Sequence, residues 1–408
     1  CSLVGSEMCI RDRNEELQMK TITLKPKSGR RFLSGHPWVF SNELEKPAEK
    51  IESGEVVTLQ RVGGQFLAHG FYNPNSLIAF RELSRNEDDG VDRVIASRLD
   101  LAIDLRRRLY PSADCLRLVH SESDGLPGLI IDQYDDVVSL QVNSAGMEGK
   151  LDYILGLLNE KLNPRAIVHR NDSGLRKLEG LSQYTKTSLG EEVATTAEIT
   201  EHGLRYLVDV MHGQKTGLFI DQHENRNAFR RFISGGDKVL DAFCNDGGFA
   251  LNAAVAGAGS VTAVDTSEPA LQRAAANADL NGLDKIDFIK ADVMKWLPQN
   301  ADDGQFDVVN LDPPGFASNR KSIPVARKAY RKLHVAGIMA LKPGGILATS
   351  CCSHHISEAD FLDSIQQASG RTGRVFQMLH RGGHPADHPV LLSMPESSYL
   401  KFFVFRVL

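Results

Sequence analysis

Residues 238–248, with the sequence KVLDAFCNDGG, decide the fold of this chain. The apolar stretch 238–242 predicts a strand, and a helix is predicted from Gly248. Gly247 and Gly248 have no Cβ atom, so the backbone between strand and helix can approach a ligand closely. Ligands of parallel sheets bind beyond the carboxyl ends of the strands, where this loop lies. The sequence is not G-x-G-x-x-G, which disfavours a dinucleotide ligand.

A regular alternation of strands and helices continues from this loop to the end of the chain. Strands are predicted at 260–264, 287–290, 306–311, 346–350, 375–379 and 400–407. Helices are predicted to begin at 248, 268, 293, 323 and 357. This order predicts an α/β fold with a doubly wound, Rossmann-like sheet.

Acidic residues follow the first three strands of this sheet. Asp241 ends the first strand, and Asp265 follows the second, where a carboxylate can accept hydrogen bonds from a ribose diol. Asp292 follows the third strand and could accept a hydrogen bond from an adenine amine. Each acid alone could instead cap a helix. Together with the glycine pair, the three acids predict a nucleoside-type ligand across the strand ends.

The fourth strand ends in residues 310–316, NLDPPGF. Pro313 and Pro314 fix φ and remove two backbone donors, which makes the loop stiff. A stiff loop that begins with Asp312 suits a flat base presented edge-on to this carboxylate. The alternative is a simple strand-terminating turn. Enzymes that methylate amino groups use a similar loop, so the motif indicates methyl transfer to a base without specifying the atom.

The fifth strand leads into residues 349–355, TSCCSHH. A cysteine thiolate can add to C6 of cytosine and make C5 nucleophilic, which is covalent catalysis. Such a thiol must be at least partly ionised, and a helix predicted just after Ser353, with His354 and His355, would favour this. The alternative is two buried cysteines that act as small hydrophobic residues. Because directly adjacent ligands do not readily point at one ion, no metal is expected.

The C-terminal half resembles the class I S-adenosylmethionine-dependent methyltransferases, and among them a family of large-subunit (23S) ribosomal RNA cytosine-C5 methyltransferases. Residues 213–222, GQKTGLFIDQ, resemble the segment that packs over the cofactor in that family. Asn245 and Asp246 depart from the Tyr-Thr that the family usually shows. The resemblance extends through 385–390 and 399–401, and it implies that Asp387, His388 and Pro389 lie close to the cleft.

The loop, the acids and this resemblance together assign residues to S-adenosylmethionine. The expected cofactor-binding residues are Gln214, Phe219, Asp221, Arg226, Asp241, Phe243, Cys244, Asn245, Gly247, Gly248, Asp265, Ser267, Asp292, Asp312 and Pro313. Matching Cys-Ser to the family's loop selects Cys352 as the nucleophile, with Cys351 as the second choice. Asp312 is expected to orient the pyrimidine edge.

Two other functions stay open on the sequence. The related guanine-N2 methyltransferases resemble this domain but lack a cysteine in the later loop, which favours cytosine C5. If the chain nevertheless methylated guanine, Cys352 would be incidental. A non-catalytic RNA-binding ribosome assembly factor is the third interpretation, and Asn245 and Asp246 are its support.

The rest of the chain predicts two smaller modules. Residues 19–90 are β-rich, and LKP, RRF and GHPWVF within 24–40 resemble a PUA domain, a small β-barrel attached to RNA-modifying enzymes. Residues 92–190 predict an α+β middle domain, and 191–408 the methyltransferase domain. Residues 1–18 show no periodicity and predict a non-native or disordered tail ahead of Met19.

Ribosomal RNA, free or in a precursor particle, is the expected partner, and a homodimer is also considered. The formal net charge of -5 gives no general attraction to RNA, so local basic patches must supply it. The candidate RNA-binding residues are Lys25, Lys27, Arg30, Arg31, Arg320, Lys321, Arg327, Lys328 and Arg331. A solvated helix face is the alternative for the second group.

The cellular compartment of the protein is predicted from its cysteines and its hydropathy. The six cysteines match neither a zinc site nor a disulfide framework, which predicts a reducing compartment. No apolar run reaches about 18 residues and no leader is recognised, so a cytoplasmic location without a membrane span is expected.

Overall fold

The structure is a computed structural model that describes residues 19–191, 195–300, 304–317 and 319–408. The predicted tail at 1–18 lies outside the described residues. Four sheets follow one another along the chain, with five, five, two and seven strands. In the part of the chain that the structure describes, no helix is both long enough and apolar enough to cross a membrane.

The first sheet has the strand order β1-β3-β4-β5-β2. Its elements are β1 (Thr21–Leu24), α1 (Arg30–Leu33), β2 (Trp38–Phe40), β3 (Val56–Arg61), β4 (Phe66–Tyr72) and β5 (Ile78–Ser84). Alternate strand residues are buried, and the rings of Phe32 and Phe80 pack edge to face, 5.9 Å apart, in its core. The β-rich character predicted for residues 19–90 is confirmed by these strands, of which the three-residue β2 is too short to show a pattern of its own.

The second sheet has the order β10-β9-β8-β7-β6 and confirms the predicted α+β module. Its elements are α2 (Val91–Leu109), β6 (Cys115–His120), β7 (Leu129–Tyr134), β8 (Val137–Val142), α3 (Ala145–Glu148), α4 (Leu151–Leu162), β9 (Ala166–Asn171), α5 (Leu175–Leu178) and β10 (Tyr184–Leu189). We call this unit the middle sheet. Strand β10 was not predicted, because this edge strand is polar and largely exposed.

A two-stranded hairpin links the middle sheet to the rest of the chain. It consists of β11 (Thr196–Glu201) and β12 (Leu204–Asp209), paired antiparallel. Its apolar residues alternate, and Ile199, Tyr206 and Val208 are buried in one cluster with Tyr134 and Val168 of the middle sheet. The hairpin therefore packs against the middle sheet through one apolar face.

The fourth sheet has the order β15-β14-β13-β16-β17-β19-β18. Its strands are β13 (Lys238–Ala242), β14 (Ser260–Asp265), β15 (Ile286–Lys290), β16 (Phe306–Leu311), β17 (Leu341–Cys351), β18 (Phe376–Gly382) and β19 (Lys401–Val407). The helices are α6 (His223–Phe229), α7 (Gly248–Val255), α8 (Glu268–Leu280), α9 (Val293–Asn300), α10 (Ile323–Met339) and α11 (Glu358–Thr372). The strands are parallel except β19, which confirms the doubly wound sheet.

The strand order places a crevice at the middle of this sheet. From β13 the chain moves outward through β14 and β15, and then returns to the other side of β13 as β16. Such a reversal opens a crevice at the carboxyl ends of the strands. Leu240 and Val309 face one apolar core, whereas Val239 and Val308 face the other, so the sheet is covered on both sides.

Candidate active site

The carboxyl edge of the fourth sheet gathers the side chains that the sequence singled out. Asp241 and Asp265 end β13 and β14, Asp312 follows β16, and Cys352 follows β17. Because β14, β13, β16 and β17 are neighbours in this order, these four residues line one cleft. Asp292 follows β15 at the outer edge of the sheet.

The glycine loop adopts a conformation that few side chains tolerate. Phe243 has φ 67° and Asn245 has φ 45°, both in the left-handed region, and such strain is typical of functional loops. The backbone amides of Phe243 and Cys244 both donate to the carbonyl of Val264, at 2.8 and 3.1 Å. Gly247 has φ 81°, in the left-handed region that favours glycine, and a Cβ atom there would also lie 2.6 Å from Leu251 Cδ1.

The side chain of Arg226 packs against the glycine loop at Gly248. A Cβ atom on Gly248 would lie 2.8 Å from Arg226 Cδ. The buried guanidinium donates to both carboxylate oxygens of Glu201, at 2.7 and 2.5 Å, and to the carbonyl of Phe219, at 2.9 Å. In the structure the Arg226 side chain links the hairpin to residues 213–222 and lies beside the glycine loop, and its expected role in cofactor binding stays a prediction.

The acids after β14 and β15 differ in their surroundings. Asp265 accepts the backbone N–H of Asn245 at 3.0 Å and that of Ser267 at 2.8 Å, which fixes its carboxylate at the cleft. Further lone pairs of this carboxylate remain for a diol. The Ser267 hydroxyl caps α8. Asp292 is exposed and accepts the backbone N–H of Met294 at 3.0 Å, as a helix cap does.

Asp246 has a structural role. Its carboxylate is buried and lies 2.9 Å from Arg273 Nε and 2.8 Å from Arg273 Nη2, on α8. The departure from the family's usual loop sequence at Asp246 is therefore accommodated by an ion pair. Cys244, two residues before Asp246 in the loop, is also buried, and burial raises the pKa of its thiol.

Two buried hydrogen-bond acceptors lie on neighbouring residues of β13 and β16, near the carboxyl ends of these strands. Asp241 Oδ1 accepts Asn310 Nδ2 at 2.9 Å. Asp241 Oδ2 and Asn310 Oδ1 are buried and accept no hydrogen bond from the described residues. Burial raises the pKa of Asp241 to about 7. Because buried polar atoms are normally paired, these two acceptors suit the donors of a bound ligand.

Gln222 connects the loop that follows β16 to β17, a role that the sequence did not predict. Its Nε2 donates to Asp312 Oδ1 at 3.1 Å and to Ser350 Oγ at 3.2 Å. Burial raises the pKa of Asp312 to about 6. The sequence feature that could have indicated a role for Gln222 is its position next to Asp221, in the segment 213–222 that resembles the family.

A cluster of three polar side chains lies on the wall of the cleft. The buried carboxylate of Asp221 is at its centre and contacts both Lys215 and Tyr399. Asp221 Oδ2 accepts Lys215 Nζ at 2.7 Å and the Tyr399 hydroxyl at 2.6 Å. Burial alone would raise the pKa of Asp221, but Lys215 holds it well below its usual value. Phe219 lies 4.4 Å from Lys215 Nζ, and Gln214 is exposed. Lys215 was not singled out by the sequence.

The two adjacent cysteines point in different directions. Cys351 is fully buried in the core, whereas Cys352 is partly exposed and its Sγ lies 4.0 Å from the carbonyl of Pro313. Cys351 is the last residue of β17 and belongs to the apolar core, whereas Cys352 follows the strand beside the Pro313 loop. The geometry therefore favours Cys352.

Burial opposes the ionisation that is expected of this thiol. Burial raises the pKa of Cys352 to about 12, so the thiol is protonated near neutral pH. Helix α11 begins at Glu358 rather than just after Ser353, so its N-terminus follows five residues later. His354 packs against Tyr399, with ring centroids 5.0 Å apart, and burial lowers its pKa.

The candidate RNA-binding residues are only partly free. Arg31 pairs with Glu396 at 2.5 Å. Arg327 pairs with Asp363, and Arg331 donates to Gln367, so both contact α11. The remaining candidates are exposed: Lys25, Lys27, Arg30, Arg320, Lys321 and Lys328.

Asp387 and His388 are buried where the middle sheet meets the fourth sheet. Asp387 Oδ1 lies 2.9 Å from His388 Nδ1, and Asp387 Oδ2 accepts the backbone N–H of Arg117 at 3.0 Å. The Asp387 carbonyl accepts Arg106 Nη2 at 2.8 Å. These contacts give both residues a structural role.

One group of metal-type ligands occurs within the described ranges, formed by His202, His223 and Glu224. His202 Nε2 lies 3.4 Å from His223 Nδ1, and the ring planes are within 18° of parallel. The separation of these two nitrogens is within hydrogen-bond distance, so the two rings can pair with each other directly.

Residues 181–406 match the family of S-adenosylmethionine-dependent methyltransferases, and residues 22–85 match a PUA-like domain. Ribosomal RNA large subunit methyltransferase I of Klebsiella pneumoniae (strain 342) is 38% identical over 383 residues, which cover 92% of this chain and 96% of that protein. The protein of the same name from Escherichia coli O139:H28 is 37% identical with the same coverage. The chain belongs to this methyltransferase family.

Two solved structures share the fold of this methyltransferase. A putative methyltransferase, SMU.776, complexed with S-adenosylhomocysteine has a TM-score of 0.81 at 22% identity, covering 95% of this chain and all of that one. A putative methyltransferase from Streptococcus mutans has a TM-score of 0.80 at 21% identity, with the same coverage. S-adenosylmethionine is the cofactor of the family. The glycine turn and the unpaired acceptors of Asp241 and Asn310 fit it.

Proposed function

We propose that this methyltransferase forms 5-methylcytosine in 23S ribosomal RNA, with Cys352 as the nucleophile. Its curated relatives are named for large-subunit ribosomal RNA, which supports the substrate class and, with it, a cytoplasmic location. The position of Cys352 is the observation that supports cytosine as the target base. Its sulfur lies in the cleft beside the Pro313 loop, whereas Cys351 belongs to the core. A homodimer remains a prediction.

The proposed reaction begins at the sulfur of Cys352. Its thiolate adds to C6 of the cytosine, and the electron pair of the C5–C6 double bond moves toward C5. S-adenosylmethionine supplies the electrophilic methyl group and leaves as S-adenosylhomocysteine. C5 then loses its proton to water in the cleft, the C5–C6 double bond forms again, and the sulfur of Cys352 departs with the electron pair of the C6–S bond as a thiolate. Asp312, which Gln222 holds in place, orients the edge of the pyrimidine.

The same cleft offers a place for each part of the cofactor. The backbone at Gly247 and Gly248 would lie against it, and the Asp265 carboxylate would accept its ribose hydroxyls. Asp292 would accept the adenine amine. Asp241 would accept donors of the methionine part, since its Oδ2 is unpaired among the described residues.

RNA would be held by local charge, because the chain as a whole is acidic. Arg320 and Lys321 follow the Pro313 loop directly and are exposed, so phosphates bound there would flank the target base. Lys25, Lys27 and Arg30 of the first sheet are exposed as well. The target base must leave its stack to reach Cys352.

Guanine-N2 methylation remains the second candidate, and one observation favours it. The raised pKa of Cys352, about 12, means that the free enzyme holds a thiol rather than a thiolate. An amino-methylating enzyme would need no thiolate. A non-catalytic assembly factor is less well supported, because the Asp246–Arg273 ion pair explains Asp246 without loss of the glycine turn.

Analysis of the product tests the proposed reaction. Unmodified 23S ribosomal RNA, free or in precursor particles, would be incubated with the protein and S-adenosylmethionine and digested to nucleosides. We expect mass spectrometry to find 5-methylcytidine and no new methylguanosine. N2-methylguanosine as the product would select the second candidate. A reaction without the protein gives the background of each nucleoside.

A further inference from the structure

The backbone at Lys215 is held in an unusual conformation. Lys215 has φ 52°, in the left-handed region that non-glycine residues rarely adopt. Gly213 and Gly217 flank it, and the amide of Gly217 donates to the carbonyl of Gln214 at 2.8 Å. Such strain persists only where the surroundings fix the backbone, and it clusters at functional sites.

The middle sheet fixes this loop through Thr216. The Thr216 hydroxyl donates to Asp132 Oδ2 at 2.5 Å and lies 3.1 Å from the Tyr134 hydroxyl. Asp132 is in turn held by Arg117, whose Nε and Nη2 donate at 2.7 and 2.8 Å. All four side chains are buried. The residue next to Lys215 is therefore anchored in a rigid, fully paired network.

The side chain of Lys215 turns toward the cleft. Its Nζ pairs with Asp221, and its side chain is 39% exposed. The ammonium group lies 6.0 Å from the ring centre of Tyr399, and that ring packs against His354, two residues after Cys352. Lys215 thus lies on the wall of the cleft that the cysteine loop also forms.

Several charged or titratable groups surround Cys352. They are Lys215, Asp312, Asp221, Cys351, Tyr330, Tyr399 and Lys401. Lys215 lowers the pKa of the Cys352 thiol more than any other group, whereas burial, Asp312, Cys351 and Asp221 raise it. Lys401 Nζ donates to the carbonyls of Ser353 and Tyr399, both at 2.9 Å, so its donors are directed at the backbone.

We propose that the ammonium group of Lys215 stabilises the thiolate of Cys352, and that the middle sheet holds Lys215 in place through Thr216. This inference rests on the proposed function, in which Cys352 is the nucleophile. The thiol loses its proton to water in the open cleft, and the lysine stays protonated throughout. The middle sheet then has a part in catalysis, since it positions the charge that the nucleophile needs.

Alkylation of Cys352 by iodoacetamide tests this interaction in the full-length protein without RNA. Rates would be measured between about pH 7 and pH 10, with peptide fragmentation to separate Cys352 from Cys351. We expect Lys215→Met to shift the profile to higher pH and to slow alkylation at pH 9 at least about tenfold, which corresponds to one pKa unit. Lys215→Arg should stay within about twofold of the wild type.

Lys342→Met is the matched control. Lys342 pairs with Asp307 at 2.7 Å and is 42% exposed, close to the values for Lys215, but it lies at the opposite edge of the fourth sheet. Its alkylation profile should equal that of the wild type. Thr216→Val tests the anchor, and it should shift the profile in the same direction as Lys215→Met.

An unchanged profile in Lys215→Met would overturn the proposal, even if methyl transfer fell. Loss of S-adenosylmethionine binding in that variant would then assign Lys215 to the cofactor instead. An unchanged profile in Thr216→Val would overturn the anchoring role. The alkylation result can be distinguished from failure of the proposed function. Methyl transfer by Cys352→Ala would refute the proposed function. It would leave the alkylation rates of Cys352 in the other variants unchanged.

Discussion

We expect Cys352→Ala to lower methyl transfer by at least about four orders of magnitude, the scale on which loss of a covalent nucleophile acts. S-adenosylmethionine should bind within about twofold of the wild-type affinity, because the glycine turn, Asp241 and Asp265 remain in place. The alanine lacks the sulfur that would add to C6, so C5 never becomes nucleophilic. Single-turnover methylation and calorimetry measure the two effects separately.

Cys351→Ala is the control for this prediction. Cys351 is fully buried and faces the core, so its replacement should cost about 1 kcal/mol of stability through the small cavity that it leaves. Methyl transfer at a temperature well below unfolding should stay within a few fold of the wild type. Full activity of Cys352→Ala would contradict the covalent mechanism and favour methylation of a guanine amine.

The largest expected effect on stability comes from Arg226→Met. Removal of the guanidinium leaves the Glu201 carboxylate buried without a partner, and the Phe219 carbonyl loses a hydrogen bond. Breaking a buried ion pair in this way costs about 3–5 kcal/mol. Whole domains are stable by only about 5–15 kcal/mol, so we expect a large fall in the unfolding midpoint. Urea unfolding, followed by circular dichroism, measures it.

A second variant separates the lost charge pair from lost packing. Glu201→Met combined with Arg226→Met should recover most of the stability, because no uncompensated charge remains. Arg205→Met, in the same hairpin, removes an exposed pair with Glu198 and should change stability by less than about 1 kcal/mol. If Arg226→Met were no more destabilising than Arg205→Met, the central role assigned to Arg226 would be wrong.

The fourth sheet was predictable because its strands are short apolar runs between turn residues. Strands β13 and β16 were placed with their observed bounds, since 238–242 and 306–311 are mainly apolar and an acid, Asp241 or Asp312, lies at the carboxyl end of each. The predicted boundary at residues 190–191 lies between β10 and β11, and neither of these strands was predicted. Strand β10 is a polar edge strand, so hydrophobic periodicity gives no signal there.

The candidate site was predictable where it depends on strand ends alone. Asp241, Asp265, Asp312 and Cys352 come together because the carboxyl ends of parallel strands share one edge. The partners of these residues could not be predicted, because they depend on distances between remote segments. Asp221 and Tyr399, for example, are 178 residues apart and joined by a hydrogen bond of 2.6 Å.

The ionisation of Cys352 shows a different limit of the sequence. Nearby histidines and a helix start suggested a partly ionised thiol, but sequence neighbours are a poor guide to the electrostatic environment of a side chain. Burial dominates the pKa of this thiol, and the cation that opposes burial is Lys215, which comes from a distant loop. Desolvation depends on packing, which only the three-dimensional structure supplies.

Trapping of the covalent adduct tests the proposed mechanism most directly. The protein would be incubated with S-adenosylmethionine and 23S ribosomal RNA that contains 5-fluorocytidine, and then digested for mass spectrometry. Fluorine at C5 blocks the final proton loss, so we expect a methylated fluorocytidine linked to the peptide that contains Cys352. A link to Cys351 would keep the mechanism and change the nucleophile. No adduct, together with methyl transfer to another base, would contradict the covalent cytosine mechanism.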